Sequence, residues 1–146
     1  MHRAASSFCR IDLPLQQALP LLHGEAPATI ELFCEAPHLD TTADWRGQVA
    51  WLRQYAQSHG LTYALHAPCF DLNPASANAG VRTEVARQYQ IALAIAEALG
   101  ARHMVIHSGP RSDPRLSAAE GRQHVRAMLE LLVPHAEAHG VRLALE

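Results

Sequence analysis

Apolar residues recur along this chain in two alternating rhythms. Short apolar runs rich in β-formers, ATIELF at 28–33, LTYAL at 61–65, HMVI at 103–106 and VRLAL at 141–145, predict buried strands. Between them the apolar positions fall three and four residues apart, which predicts helices with one buried stripe. Those stripes are Leu15, Leu19 and Leu22; Trp45, Val49, Leu52 and Ala56; Val81, Val85, Ala92, Ala96 and Leu99; and Val125, Met128, Leu132 and Ala136. Residues 3–10 predict a further short strand ending near Phe8 and Cys9. Strict alternation of strand and helix implies parallel strands joined by right-handed crossovers, hence an α/β architecture.

Local signals sharpen these boundaries. Pro14 can start the first helix, since its fixed φ suits the first helical position, whereas Pro20 is expected to interrupt that helix and Gly24 to close it. Asp44 can cap the second helix. Ser117 and Glu120 form an S-x-x-E capping box that starts the fourth, in which Pro134 is expected to introduce a kink. The polar connection APCFDLNPASANAG is long, and loops of that length usually carry function.

Superimposed on the alternation is a repeat. Gly60, Gly100 and Gly140 lie forty residues apart, each ending a helix, and each is followed by a short strand that finishes on His66, His107 or Glu146. Parallel strands side by side share one carboxyl-terminal rim, so three residues distant in sequence can converge there. Two imidazoles and a carboxylate suit Zn²⁺, Mn²⁺ or Fe²⁺, with Mg²⁺ and Co²⁺ as further candidates. Glu146 could bind such an ion through one oxygen and move a substrate proton with the other.

With 146 residues, 49% of them hydrophobic, the chain can bury a substantial core, and residues 1–146 read as a single domain. About four βα units and a fifth strand are present, whereas a closed eight-unit barrel takes about 250 residues, so the pattern is that of a partial (β/α) barrel of the TIM type. A formal charge of −2 gives no broad basic field, so general nucleic-acid affinity is not indicated. All twelve basic residues are arginine, which excludes Schiff-base chemistry and a lysine base. No segment has the apolar length of a signal peptide or membrane span. The three cysteines, Cys9, Cys34 and Cys69, form no CxxC pair and fit a reducing, cytoplasmic setting. All three fall near predicted strand ends, as thiolate ligands would, but they lack matched ligand spacing and are read as small buried hydrophobes outside the site.

The segments HAPCFDLNPAS, VRTEVARQYQIALAIAEALGA, MVIHSGP and HGVRLALE together resemble the xylose isomerase-like TIM barrels, the superfamily of sugar isomerases and epimerases and of endonuclease IV-type enzymes. The likeness runs over nearly the whole chain. It implies that His66 and His107 are metal ligands on strands three and four and that Glu146 is the ligand on strand five. In the endonuclease branch all three positions bind metal; in the keto-sugar epimerase branch the strand-five glutamate is the shared element and also handles the proton. The family's further ligands, from strands six to eight, have no counterpart within these 146 residues.

Other residues invite comparison with plainer roles. Glu31 and Glu35 near the rim could contact a sugar hydroxyl or remain solvated carboxylates. His38 is equally open. Asn73 and Ser76 could meet a ligand or form turns around Pro74. Arg111 and Arg115 could hold a phosphate, or pair with Asp113. His59 and His139 precede helix-ending glycines and His23, His124 and His135 lie on helices, where capping and surface roles suffice.

These readings lead first to a divalent-metal-dependent isomerase or epimerase of a sugar or sugar phosphate, with Glu146 catalytic and Glu31, Asn73 and Arg111 binding substrate. A zinc phosphodiesterase acting on abasic DNA is the second expectation. The third is an inactive half barrel whose open strand edges call for a homo-oligomer or a missing carboxyl-terminal half.

Overall fold

A computed structural model describes residues 4–25 and 27–146. Five parallel strands, β1 (Ala4–Ser6), β2 (Thr29–Phe33), β3 (Thr62–His66), β4 (His103–Ile106) and β5 (Arg142–Leu145), form one sheet in sequence order. The helices α1 (Leu15–Gly24), α2 (Trp45–His59), α3 (Ala79–Leu99) and α4 (Ala118–Ala138) fill the crossovers. Because each strand pairs with its predecessor and the order never reverses, the winding is that of a barrel rather than of a doubly wound sheet. The fold is a partial TIM barrel.

Side-chain alternation gives the sheet two unlike faces. Ile30 and Leu32, Tyr63 and Leu65, and Met104 and Ile106 are buried in the same cluster as Leu15, Leu19, Leu52, Val85, Leu93 and Leu132 of the helices. The alternate set is more polar and, apart from the buried Phe33, more accessible: Thr29 and Glu31; Thr62, Ala64 and His66; His103 and Val105; Arg142 and Ala144. Thr29 and Thr62 are direct neighbours in the register and join their hydroxyls across this face at 2.8 Å. One face thus holds the core, and the other lines an open concavity whose strand ends are available for chemistry.

The glycine caps act as the repeat implies. Gly60 and Gly100 adopt left-handed φ values of 64° and 69°, and Gly140 follows the end of α4 with φ 65°. No atom outside each one's immediate chain neighbours crowds a Cβ at Gly60 or Gly100, so backbone conformation alone selects glycine there. Asp44 caps α2 through Arg46 N–H, Asn78 caps α3 through Gly80 N–H, and Ser117 with Glu120 forms the full reciprocal capping box on α4.

Two local expectations differ from the structure. The first strand stops at Ser6, where the chain tightens into a 3₁₀ turn over Ser7–Arg10; the Ser6 hydroxyl accepts from Phe8 N–H and turns Phe8 and Cys9 out of the sheet. The expected strand's first residue, Arg3, lies outside the described residues. Helix α1 runs unbroken through Pro20 instead of being interrupted there; Pro134 likewise lies within the continuous helix α4. Both prolines face solvent, so each removes one intrahelical bond on the side where water can satisfy the freed carbonyl. Among the described residues no helix is long and apolar enough to cross a membrane.

Candidate functional site

His66 is the last residue of β3, and His107 and Glu146 directly follow β4 and β5. Period-two alternation places all three on the open face, and the parallel register brings their strand ends together. Glu146 is held beside β4 by its N–H to Ile106 O and by Ser108 N–H to its own carbonyl, both at 2.9 Å. Residues 41 and 39 positions apart in sequence thereby meet. His66 Nε2 lies 3.1 Å from His107 Nε2, and Glu146 Oε2 lies 3.5 Å from His107 Nε2 and 4.0 Å from His66 Nε2.

The protonation pattern follows from the partners. His66 Nδ1 is 2.9 Å from Ala67 O. A carbonyl only accepts, so Nδ1–H donates and the neutral ring presents a bare Nε2 toward His107. An outer hydrogen bond of this kind orients metal-binding imidazoles in general. Metal–nitrogen distances of about 2.0–2.1 Å in a tetrahedral site separate two imidazole nitrogens by about 3.3 Å, close to the distance observed. The donor set and its spacing therefore fit a divalent ion with little movement.

The surroundings grade from apolar to wet. The His66 side chain is 13% exposed, that of His107 38%, and that of Glu146 73%. Phe33, the register neighbour of His66, packs against its ring at 5.4 Å and stacks edgewise on Phe8 and Phe70, giving the site one aromatic wall. On the other side, His107, Ser108, Gly109, Pro110 and Glu146 line an open cleft of about 440 Å³.

One residue read as lying outside the site stands beside its two histidines. The donor atoms of His66, Cys69 and His107 all lie within 4.8 Å of one another. Cys69 follows the β3 rim in the turn His66-Ala67-Pro68-Cys69, and Glu35 fixes that turn: its Oε1 accepts from both Cys69 N–H and Phe70 N–H. Burial, with Glu35 and Glu146 nearby, pushes the Cys69 thiol up to about 11. A place near a strand end is the one sequence signal for Cys69, and it is too weak to single this cysteine out, because a carboxylate 34 residues away shapes its loop. Cys34 is fully buried and Cys9 exposed, so neither joins the cluster.

The other sequence candidates separate clearly. Glu31 sits half-buried on the open face and accepts from the Ser6 hydroxyl at 3.0 Å. Asn73 ties two rim loops together: Nδ2 donates to Pro110 O and Ser112 Oγ, while Oδ1 accepts from Ala75 N–H. Ser76 Oγ accepts from Asn78 N–H within a turn. Arg111 is exposed and lines a neighbouring apolar groove with Val125, Leu129 and Leu145 rather than the cleft beside Glu146. Arg115 pairs with Asp113 at 2.7 Å, and that pairing holds the Asp113 carboxyl down at about 2.

His38 is almost fully buried and structural. Its Nε2 faces Arg10 O and Leu13 O and must donate, so Nδ1 accepts from the Ser7 hydroxyl, which in turn accepts from Phe33 N–H. His59 Nδ1–H donates to Tyr55 O and His139 pairs with Glu97, consistent with their places at helix ends.

Fold and site together define a parallel α/β barrel segment with metal-type donors at the carboxyl rim of three adjacent strands. Residues 28–146 match the family model described as xylose isomerase-like TIM barrel, and the chain belongs to that family. No curated protein matches by sequence. Among solved structures, the chain is similar to a D-tagatose 3-epimerase-like protein at 24% identity and a TM-score of 0.86, covering 99% of this chain and 52% of that one. It is also similar to a Thermus thermophilus protein, TTHB071, soaked with ZnCl2, at 26% identity and a TM-score of 0.71, covering 99% and 54%. An L-ribulose 3-epimerase matches at 21% and 0.78, covering 99% and 49%. The chain thus spans about half the length of each.

Proposed function

We propose that this chain contributes the metal-binding part of a divalent-metal-dependent sugar or sugar-phosphate isomerase or epimerase. The observation that carries the reading is the meeting of His66, His107 and Glu146 within 4.0 Å at one barrel rim. Neighbours described as sugar epimerases support the substrate class, and the zinc-soaked neighbour supports the ion.

His66 and His107 would hold the ion through Nε2 and Glu146 through Oε2. When bound, such an ion polarises a carbonyl and acidifies the carbon beside it. Glu146, the most exposed of the three, reaches into the cleft and can take that proton on its second oxygen and return it on the same face to the neighbouring carbon, the step of an isomerase; an epimerase would need a second acid on the opposite face. The Ala67 carbonyl keeps His66 in the ligating tautomer, and the Phe8–Phe33–Phe70 wall keeps water from one side. Glu31, which already accepts from the Ser6 hydroxyl, would accept from a sugar hydroxyl through its other oxygen. Arg111 would meet a phosphate extending from the cleft, and Asn73 shapes the rim on which substrate rests.

The test is proton exchange. A ketose incubated with the zinc- or manganese-loaded protein in D2O should gain deuterium next to its carbonyl, by NMR, and Glu146→Gln should abolish the gain. Undiminished exchange in that variant would contradict the proposal.

A second reading, zinc-dependent hydrolysis of abasic DNA, draws on the two imidazoles facing each other at 3.1 Å, since the endonuclease branch of the family uses both positions. Salt-sensitive binding and cleavage of an abasic duplex would favour it. In either case β5 is an open sheet edge and Leu145 is 52% exposed, which suits a second copy or further chain completing the barrel wall.

A further inference from the structure

We propose that Cys69 is a ligand of the rim metal site and that its thiolate makes the site selective for zinc over manganese and magnesium. The inference rests on the metal-binding reading of His66 and His107 and adds a donor to it.

Three observations carry it. First, the Cys69 sulfur and the two imidazole nitrogens lie within 4.8 Å of one another. A tetrahedral zinc with bonds of about 2.3 Å to sulfur and 2.0–2.1 Å to nitrogen needs about 3.6 Å between these atoms. A side-chain movement of roughly 1 Å closes the difference. Second, the backbone that carries the thiol is pre-set. Glu35 receives the amides of both Cys69 and Phe70, so the turn after β3 is held with Cys69 beside the imidazoles instead of swinging into solvent. Glu35 is thus a positioning residue, acting through the loop. Third, Cys34, the cysteine suited by burial to a purely apolar role, is fully enclosed in the core, whereas Cys69 is only partly covered at the rim.

The chemistry gives the consequence. Two imidazoles and a carboxylate already lean toward zinc, yet their oxygen donor still admits Mn²⁺ when that ion is abundant. A thiolate is a soft donor that favours Zn²⁺ and Co²⁺ and discriminates against oxygen-preferring ions. On binding, the thiol gives up its proton to solvent and the sulfur lone pair forms the metal bond, so no redox change is involved. His66, His107 and Cys69 then supply three protein ligands, and Glu146 is left free for the fourth position or for the substrate proton.

The experiment uses the full chain and Co²⁺ as a spectroscopic probe. The cobalt-loaded wild type should show visible bands of a four-coordinate ion together with a near-ultraviolet thiolate-to-cobalt charge-transfer band. Cys69→Ser should keep the visible bands and lose the near-ultraviolet band, while Cys9→Ser keeps both. In competition titrations Cys69→Ser should lose at least about tenfold in Zn²⁺ affinity, with Mn²⁺ affinity unchanged. Cobalt bound stoichiometrically without the near-ultraviolet band would overturn the cysteine ligand and leave the imidazole site standing. Failure of the wild type to bind cobalt or zinc at all would overturn both.

Discussion

Replacing Gly109 with alanine should destabilise the protein by more than the same change at Gly100, although both glycines have left-handed φ values, 77° and 69°. At Gly100 a new Cβ meets open space, so the cost is the left-handed backbone strain alone, about 1–2 kcal/mol. At Gly109 the Cβ would stand 2.2 Å from Asn73 Oδ1 and 3.0 Å from Pro74 Cδ. The proline ring cannot rotate away, so the asparagine must. Asn73 would then lose its bonds to Ala75 N–H, Pro110 O and Ser112 Oγ. Three bonds at about 0.5 kcal/mol each, the lower end for partly exposed pairs, add about 1.5 kcal/mol to the strain. The total is about 3 kcal/mol, or a fall in Tm of roughly 6–12 °C for a chain of this size. Urea unfolding of Gly109→Ala, Asn73→Ala and the double variant measures this as a coupling energy. Once Asn73 is gone, the alanine at 109 should cost only the strain and the remaining Pro74 contact, which both backgrounds share, so the double variant should be more stable than the sum of the singles by about 1.5 kcal/mol. Strict additivity, or a Gly109→Ala cost no greater than that of Gly100→Ala, would refute the claim that Asn73 clamps the two rim loops.

Two further outcomes are expected. Ser117→Ala should cost about 1 kcal/mol by urea unfolding, because it removes the cap of α4. Ser117 also holds the Glu120 carboxyl below its usual range, so the box contributes fully above the ordinary carboxylate pKa and loses its contribution as pH falls through the lowered value; the difference between wild type and variant should therefore shrink in acid, and a constant difference down to the lowest accessible pH would speak against it. Alkylation of the metal-free protein at mildly alkaline pH should modify exposed Cys9 first, Cys69 slowly because its thiol is pushed up to about 11, and Cys34 only on unfolding; mass spectrometry of the modified peptides reads the order, and early labelling of Cys34 would contradict its burial.

Much of the architecture is visible in local pattern, because each βα unit announces itself with signals confined to a few residues. The forty-residue recurrence of Gly60, Gly100 and Gly140 is enough to align His66, His107 and Glu146 at equivalent strand ends, and parallel geometry does the rest. What stays hidden depends on distant partners. Cys69 joins the imidazoles only because Glu35 holds its turn, and His38 is structural only because Ser7, Arg10 and Leu13 fold over it. The signal at Pro20 misleads for a related reason: proline is penalised by helix chemistry in general, yet Pro20 falls on a solvent-facing position where the penalty is smallest. The aromatic wall is likewise a tertiary product, joining Phe33 of β2 to Phe8 and Phe70 from two separate loops.

The most direct test of the central claim is the metal content of the purified protein after equilibration with Zn²⁺ and gel filtration, compared among the wild type, His66→Ala, His107→Ala and Glu146→Gln. The wild type should retain about one ion per chain, and each histidine variant should lose most of it, with circular dichroism showing the fold intact. Equal zinc retention by all four folded proteins would mean that side chains 66, 107 and 146 do not share a cation, however close they stand.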